Sequence, residues 1–160
     1  MLELMAVIVI IGILSSLAYA GLMEMIFTNR AKETAQTMRT FAERALADGK
    51  RQGKDVIIAL DKDAITYSIK DKENSTVSQP LSNGFSSSNS AAPDCEEITP
   101  EFQNEAVSQF KIGISGIDQE GYFAACGAKG YCAAAVKSKS KNSFIACIRR
   151  GNPPKPWEAL

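Results

Sequence analysis

The chain has no histidine, so it lacks the commonest general base and the commonest metal ligand. It also carries no serine in a G-x-S-x-G setting, no phosphate-binding loop and no paired-carboxylate motif in a recognisable context. Those absences argue against an enzyme, and nothing in the residues calls for a cofactor or a metal. Charge is balanced at 18 Lys+Arg against 18 Asp+Glu, so the net value points to no polyanionic partner. Charge is also missing locally, because the 20 residues between Glu3 and Glu24 carry none. None of the six prolines falls within residues 28–52, and none of the four cysteines precedes Cys95.

The uncharged stretch is aliphatic. Residues 1–27 read MLELMAVIVIIGILSSLAYAGLMEMIF. At 1.5 Å per residue, about 20 helical residues cross a hydrocarbon core of roughly 30 Å. Glu3 stands at the edge of that run, where an ionisable group needs a partner or a task. Residues 28–52 then change pattern. Ala31, Ala35, Met38, Phe41 or Ala42, and Ala45 or Leu46 recur at steps of three and four, with charged residues between them. This is an amphipathic helix continuing the first. Gly53 suits its C′ position, and Gly49 is expected to fray the last turn. One helix over residues 1–52 would be roughly 78 Å long.

Strand signals follow. Val56–Leu60 and Ala64–Ile69 flank Asp61-Lys62-Asp63 as a β-hairpin, with Val56, Ile58 and Leu60 on one face and Ile65, Tyr67 and Ile69 on one face. The Asp-Lys-Asp turn reads as solvated, since no further ligands follow at calcium-loop spacing. Residues 71–107 show little periodicity, and 82–90 read as a mobile polar loop. Strands return at 110–114, 122–126, 131–136 and 144–149, and the segment 127–131 reads as a five-residue hairpin loop in which Gly127 and Gly130 take positive φ. The tail 151–157 reads as turn and extended chain. The expected architecture is α+β: an apolar helix half at 1–27, an amphipathic half at 28–52, and a β-rich domain at 53–160 whose antiparallel sheet buries one face on the helix.

Cys95, Cys126, Cys132 and Cys147 form an even set outside the apolar segment. In an exported domain that suggests two disulfides out of three connectivities, with four buried thiols as the alternative. Zinc is disfavoured by the long Cys126-x5-Cys132 spacing. Centring the 127–131 loop on Lys129 sets Cys126 opposite Cys132. Centring the next turn on Ser140 sets Cys147 opposite Ala133, on the face away from Cys132. On that register Cys126–Cys132 and Cys95–Cys147 are expected, and a one-residue slip reverses the facing argument.

The run after Glu3 — Leu4, Met5, Val7, Ile8, Ile10, Ile11, Gly12, Ile13, Leu14 — resembles the mature N-terminus of type IV pilins and of type II secretion pseudopilins, usually LMVVIAIIGIL after a Glu. The stretch FAERALADGKRQGKDVII at 41–58 resembles the helix-to-strand passage of minor pilins of the GspH/FimT type. Two departures stand out. The family's Glu is normally the fifth mature residue and follows a basic leader, so the resemblance places two further residues and a leader ahead of Met1. The family often has a Pro where Ala20 stands, so the helix is expected to continue unbroken.

The resemblance implies a single-pass subunit of the bacterial inner membrane with an extracytoplasmic C-terminal domain. It implies processing by a prepilin peptidase with N-terminal methylation, and an assembly platform that packs the helices into a filament of like subunits. Leu4, Val7, Ile8, Ile10, Ile11, Gly12, Ile13 and Leu14 would line that core. Glu3 would pair with a neighbour's N-terminal amine, whereas in an ordinary signal anchor it would be an interfacial residue. Whether the machine is a pilus or a secretion system stays open.

Residues 127–160 carry a net charge of +6, including Lys137, Lys139, Lys141, Arg149 and Arg150. Asp94, Glu96, Glu97, Glu101 and Glu105 make an acidic run without a basic residue from 91 to 110. The basic residues would meet such an acidic run on another subunit. In the alternative, a minor pilin for DNA uptake, they would bind phosphates.

Overall fold

The computed structural model describes residues 2–70, 76–88, 93, 95, 109–113, 116–117, 121–138, 143–151 and 155–160. Helix α1 runs unbroken from Leu2 to Gln52. It ends in a Schellman arrangement: the Gly53 amide bonds the Lys50 carbonyl and the Lys54 amide bonds the Gly49 carbonyl. Gly53 has φ +62°, as its place after the helix requires. Gly49 does not fray the turn. It is buried, and a Cβ there would lie 2.7 Å from Cγ2 of Val56. Its missing side chain lets the first strand cross the helix. Gly49→Ala is expected to destabilise by about 1–2 kcal/mol, the overpacking outweighing the gain in helix propensity. Chemical denaturation checks this, and a more stable variant would show that the strand can yield.

Among the described residues the strands form two five-stranded antiparallel sheets. In the first, β1 (Val56–Leu60) pairs with β2 (Ala64–Ile69) in the expected hairpin, Val56 opposite Ile69 and Leu60 opposite Ile65. Edge strand β3 (Val77–Pro80) extends it on one side; β5 (Gln109–Gly113) and β6 (Gly116–Ile117) extend it on the other. In the second sheet, β7 (Tyr122–Cys126), β8 (Cys132–Lys137) and β9 (Phe144–Arg149) form a meander. Its edges are β4 (Ser86–Ser87) and β10 (Glu158–Ala159).

Part of the weakly periodic region 71–107, including much of the loop expected at 82–90, is structured. Residues 77–88 hand the chain from one sheet to the other. The Leu81 amide bonds the Asp63 carbonyl, the Ser87 amide bonds the Lys62 carbonyl, and Leu81 and Phe85 are buried. Two apolar residues four positions apart, flanking Ser82-Asn83-Gly84, carry no periodicity, and only the facing hairpin gives them a role. The tail is also more than extended chain, since Glu158 and Ala159 add a strand after the prolines and Trp157 is buried.

One core joins helix and both sheets. Ala31, Thr34, Ala35, Met38, Phe41, Ala42, Ala45 and Leu46 are the buried face of α1, recurring at the three- and four-residue steps of a helix. They meet Val56, Ile58, Ile65 and Ile112 of the first sheet and Phe123, Ala133, Ala135, Phe144 and Ile148 of the second. Thr34 is tolerated there because its hydroxyl donates to the Arg30 carbonyl at 2.8 Å. Tyr67 donates to Asp48 at 2.6 Å. Burial, reinforced by that carboxylate, holds the phenol above its ordinary pKa.

The second sheet is buried on both faces. Its other face carries Tyr122, Ala124, Cys132, Ala134, Val136 and Cys147, with Cys95 and Trp157 packed on it. Disulfides join Cys126 to Cys132 and Cys95 to Cys147. The β8–β9 register behind the expected pairing is corrected, however. Ala134, not Ala133, stands opposite Cys147, so Cys132 and Cys147 share a face. The β8–β9 turn is one residue longer than assumed, closing with the Ser138 amide on the Ser143 carbonyl. Cys132 is bridged to the residue directly across from it, Cys126, at a Cα separation of 4.1 Å. A second correction concerns the loop between them. Gly127 is extended, with φ −111°, and the positive φ falls on Lys129 and Gly130. Gly127 is instead a point of close approach, where a Cβ would sit 3.0 Å from the Phe85 ring.

Candidate membrane and assembly helix

The N-terminal half of α1 projects from the domain. Met5, Val7, Ile8, Val9, Ile10, Ile11, Ile13, Leu14, Tyr19, Leu22 and Met25 are each more than half exposed. They surround the helix rather than forming a stripe. A folded monomer rarely exposes apolar patches beyond a few hundred Å², so this surface calls for lipid or protein around it. The helix is long and apolar enough to cross a membrane. Gly12 has no atom within 4 Å of a Cβ position, and the Ser16 hydroxyl donates to the Ile13 carbonyl at 2.8 Å. Gly12 permits close approach, and Ser16 satisfies its hydroxyl proton inside its own helix, as apolar surroundings demand. The side chains of Glu3 and Leu4 lie outside the described residues, although both are within α1.

Packing begins at Phe27. Its ring stacks on Tyr131 at 5.6 Å between centroids, and the Lys129 ammonium lies 5.4 Å from the same ring. The disulfide-closed loop 127–131 thus grips the helix where it leaves the domain. No periodicity in the sequence signals this contact, because loop and helix meet only through the register of β7 and β8.

Among the described basic residues of this set, Lys137 is set apart from Arg149 and Arg150. Lys137 stands opposite Phe144, at one end of the β8–β9 pair, and Arg149 stands opposite Cys132, at the other. Five residue steps, about 17 Å, separate those ends. The Arg149 guanidinium lies 5.4 Å from the Trp157 ring and donates to the Cys132 sulfur at 3.4 Å. Arg150 pairs with Glu158 at 2.6 Å. Lys139 and Lys141 lie outside the described residues, as does all of the acidic 91–110 run except Cys95, Pro93 and the start of β5.

Compared with protein-family models, with curated proteins and with solved structures, the chain finds no match. What is established is an α+β protein whose long N-terminal helix, apolar in its first half, packs by its second half on antiparallel sheets.

Proposed function

We propose that the chain is a non-enzymatic structural subunit of a type IV pilus or a type II secretion pseudopilus, held in the inner membrane by residues 1–27 and assembled through them into a helical filament. One observation carries the reading: a single unbroken helix is the core of the domain over 31–46 and an all-round exposed apolar rod over 5–16. A signal anchor on a flexible tether would need no such rigid continuity. A rod that must pass from lipid into a bundle of identical rods does, because either environment covers the same aliphatic surface. The resemblance of residues 3–14 to pilin N-termini supports the same reading.

Glu3 would be the assembly residue, its carboxylate paired with the N-terminal amine of an adjacent subunit. Pairing removes the penalty of an isolated carboxylate in an apolar core. Glu3→Ala is therefore expected to leave the domain folded and the chain in the membrane, yet to reduce its content in sheared filaments by about tenfold or more, the effect of losing roughly 1.4 kcal/mol or more per subunit contact. Immunoblotting of filament and membrane fractions checks this. Unchanged filament content would remove Glu3 from assembly.

A further inference from the structure

We propose that the end of the second sheet facing the anchor is a cationic collar that binds the phosphates of anionic lipid headgroups where α1 leaves the bilayer. The proposal rests on the membrane-anchored reading of residues 1–27. The strand directions make the collar. β7 ends, β8 begins and β9 ends at one edge, set by Cys126 opposite Cys132 and Cys132 opposite Arg149. That edge carries Lys129, Arg149 and Arg150, and Lys155 is held to it by its amide bond to the Arg150 carbonyl at 3.0 Å. It faces the anchor, because Lys129 and Tyr131 touch Phe27 and Arg150 shares a groove with Gly21, Glu24 and Thr28.

The depth fits headgroups. The uncharged run ends at Glu24, and Phe27 is one turn of helix, about 4.5 Å, further on. The polar layer on each side of a hydrocarbon core is about 5–7.5 Å thick. Arg30 adds a fifth cation slightly above that level, and Lys129, Lys155 and Arg30 are all exposed. Among the described residues, the carboxylates at the same level are Glu24 and Glu158, and Glu158 already engages Arg150. Lys32 and Glu33, next along the helix, offset each other. The balance of these described groups is positive, and it lies within a Debye length, about 8 Å, of the surface it would meet. Lys137, at the far end of the same strands, is not part of it.

The full chain reconstituted in vesicles tests this by amide hydrogen exchange over 127–131 and 149–151. Exchange is expected to be roughly fivefold slower in vesicles containing phosphatidylglycerol than in pure phosphatidylcholine, the effect of a cation or two held at an anionic surface. The difference should vanish in Lys129→Gln/Arg150→Gln/Lys155→Gln, while the variant still co-floats with vesicles. Equal exchange of the inserted wild-type chain in both lipids overturns the collar and leaves the anchor standing. Failure to co-float with either vesicle overturns the anchor and the collar with it. Slowing by duplex DNA in neutral vesicles, without slowing by anionic vesicles, would assign the cations to nucleic acid and overturn the proposal.

Discussion

Replacing Ile10 and Ile13 together by arginine is expected to move the chain from the membrane fraction to the soluble fraction without lowering the thermal stability of the domain. Each arginine near the centre of a spanning helix costs about 2.5–3.5 kcal/mol, so the pair shifts partitioning by roughly four orders of magnitude. Neither side chain touches the core, since both are more than half exposed. The domain should therefore unfold at its wild-type temperature. Fractionation and a melting curve on the same preparation separate the possibilities. Unchanged partitioning combined with a lowered melting temperature would mean that residues 5–25 are packed against protein in the monomer, contrary to their exposure. On the proposed assembly role both arginines would also stop filament formation, so the membrane fraction rather than the filament is the measurement to read.

The second large effect is expected from the disulfides, and it should be unequal. Cys95–Cys147 spans 52 residues and Cys126–Cys132 spans 6. Loop-closure entropy in the unfolded chain then assigns about 4 kcal/mol to the first and about 2 kcal/mol to the second. Packing widens the gap. Cys95 and Cys147 are fully buried on the outer face of the second sheet, whereas Cys126 lies at a partly exposed loop edge. Paired serine substitutions measured by denaturant unfolding give the comparison. Equal losses from the two pairs would show that the unfolded chain is already compact around Cys95. Loss of Cys126–Cys132 should also loosen the loop that carries Tyr131 onto Phe27, so fraying of α1 near residue 27 should exceed the loss in global stability.

The long helix was legible because its signals are local. The aliphatic run at 4–14, the three- and four-residue recurrence from Ala31 to Leu46 and Gly53 past the end each depend on neighbours within two turns. The hairpin of β1 and β2 was legible for the same reason: two alternating runs flank a short polar turn. The β8–β9 register was not, because Ser138 to Ser143 contain no residue that demands one turn length, and one extra residue carried Cys147 to the face of Cys132. The disulfide expectation and the structure name the same partners, yet the facing argument behind it does not hold. The β7–β8 register, with Cys126 opposite Cys132, is as expected, and only the argument against a Cys132–Cys147 bridge fails.

The sequence by itself determined an apolar helix long enough to span a bilayer, its amphipathic continuation and a β-rich remainder, because hydrophobic periodicity is a property of adjacent residues. It also determined the resemblance that makes Glu3 a candidate for assembly. Tertiary structure decided what depends on distant pairing. The single expected sheet became two, joined through Leu81 and Phe85. Gly49 and Gly127 proved to be points of close approach, to Val56 and to Phe85. Of the described basic residues after Gly127, Lys137 and Arg149 fell at opposite ends of β8 and β9. A strand carries its two ends about 17 Å apart, and only the fold turns one of those ends toward the anchor.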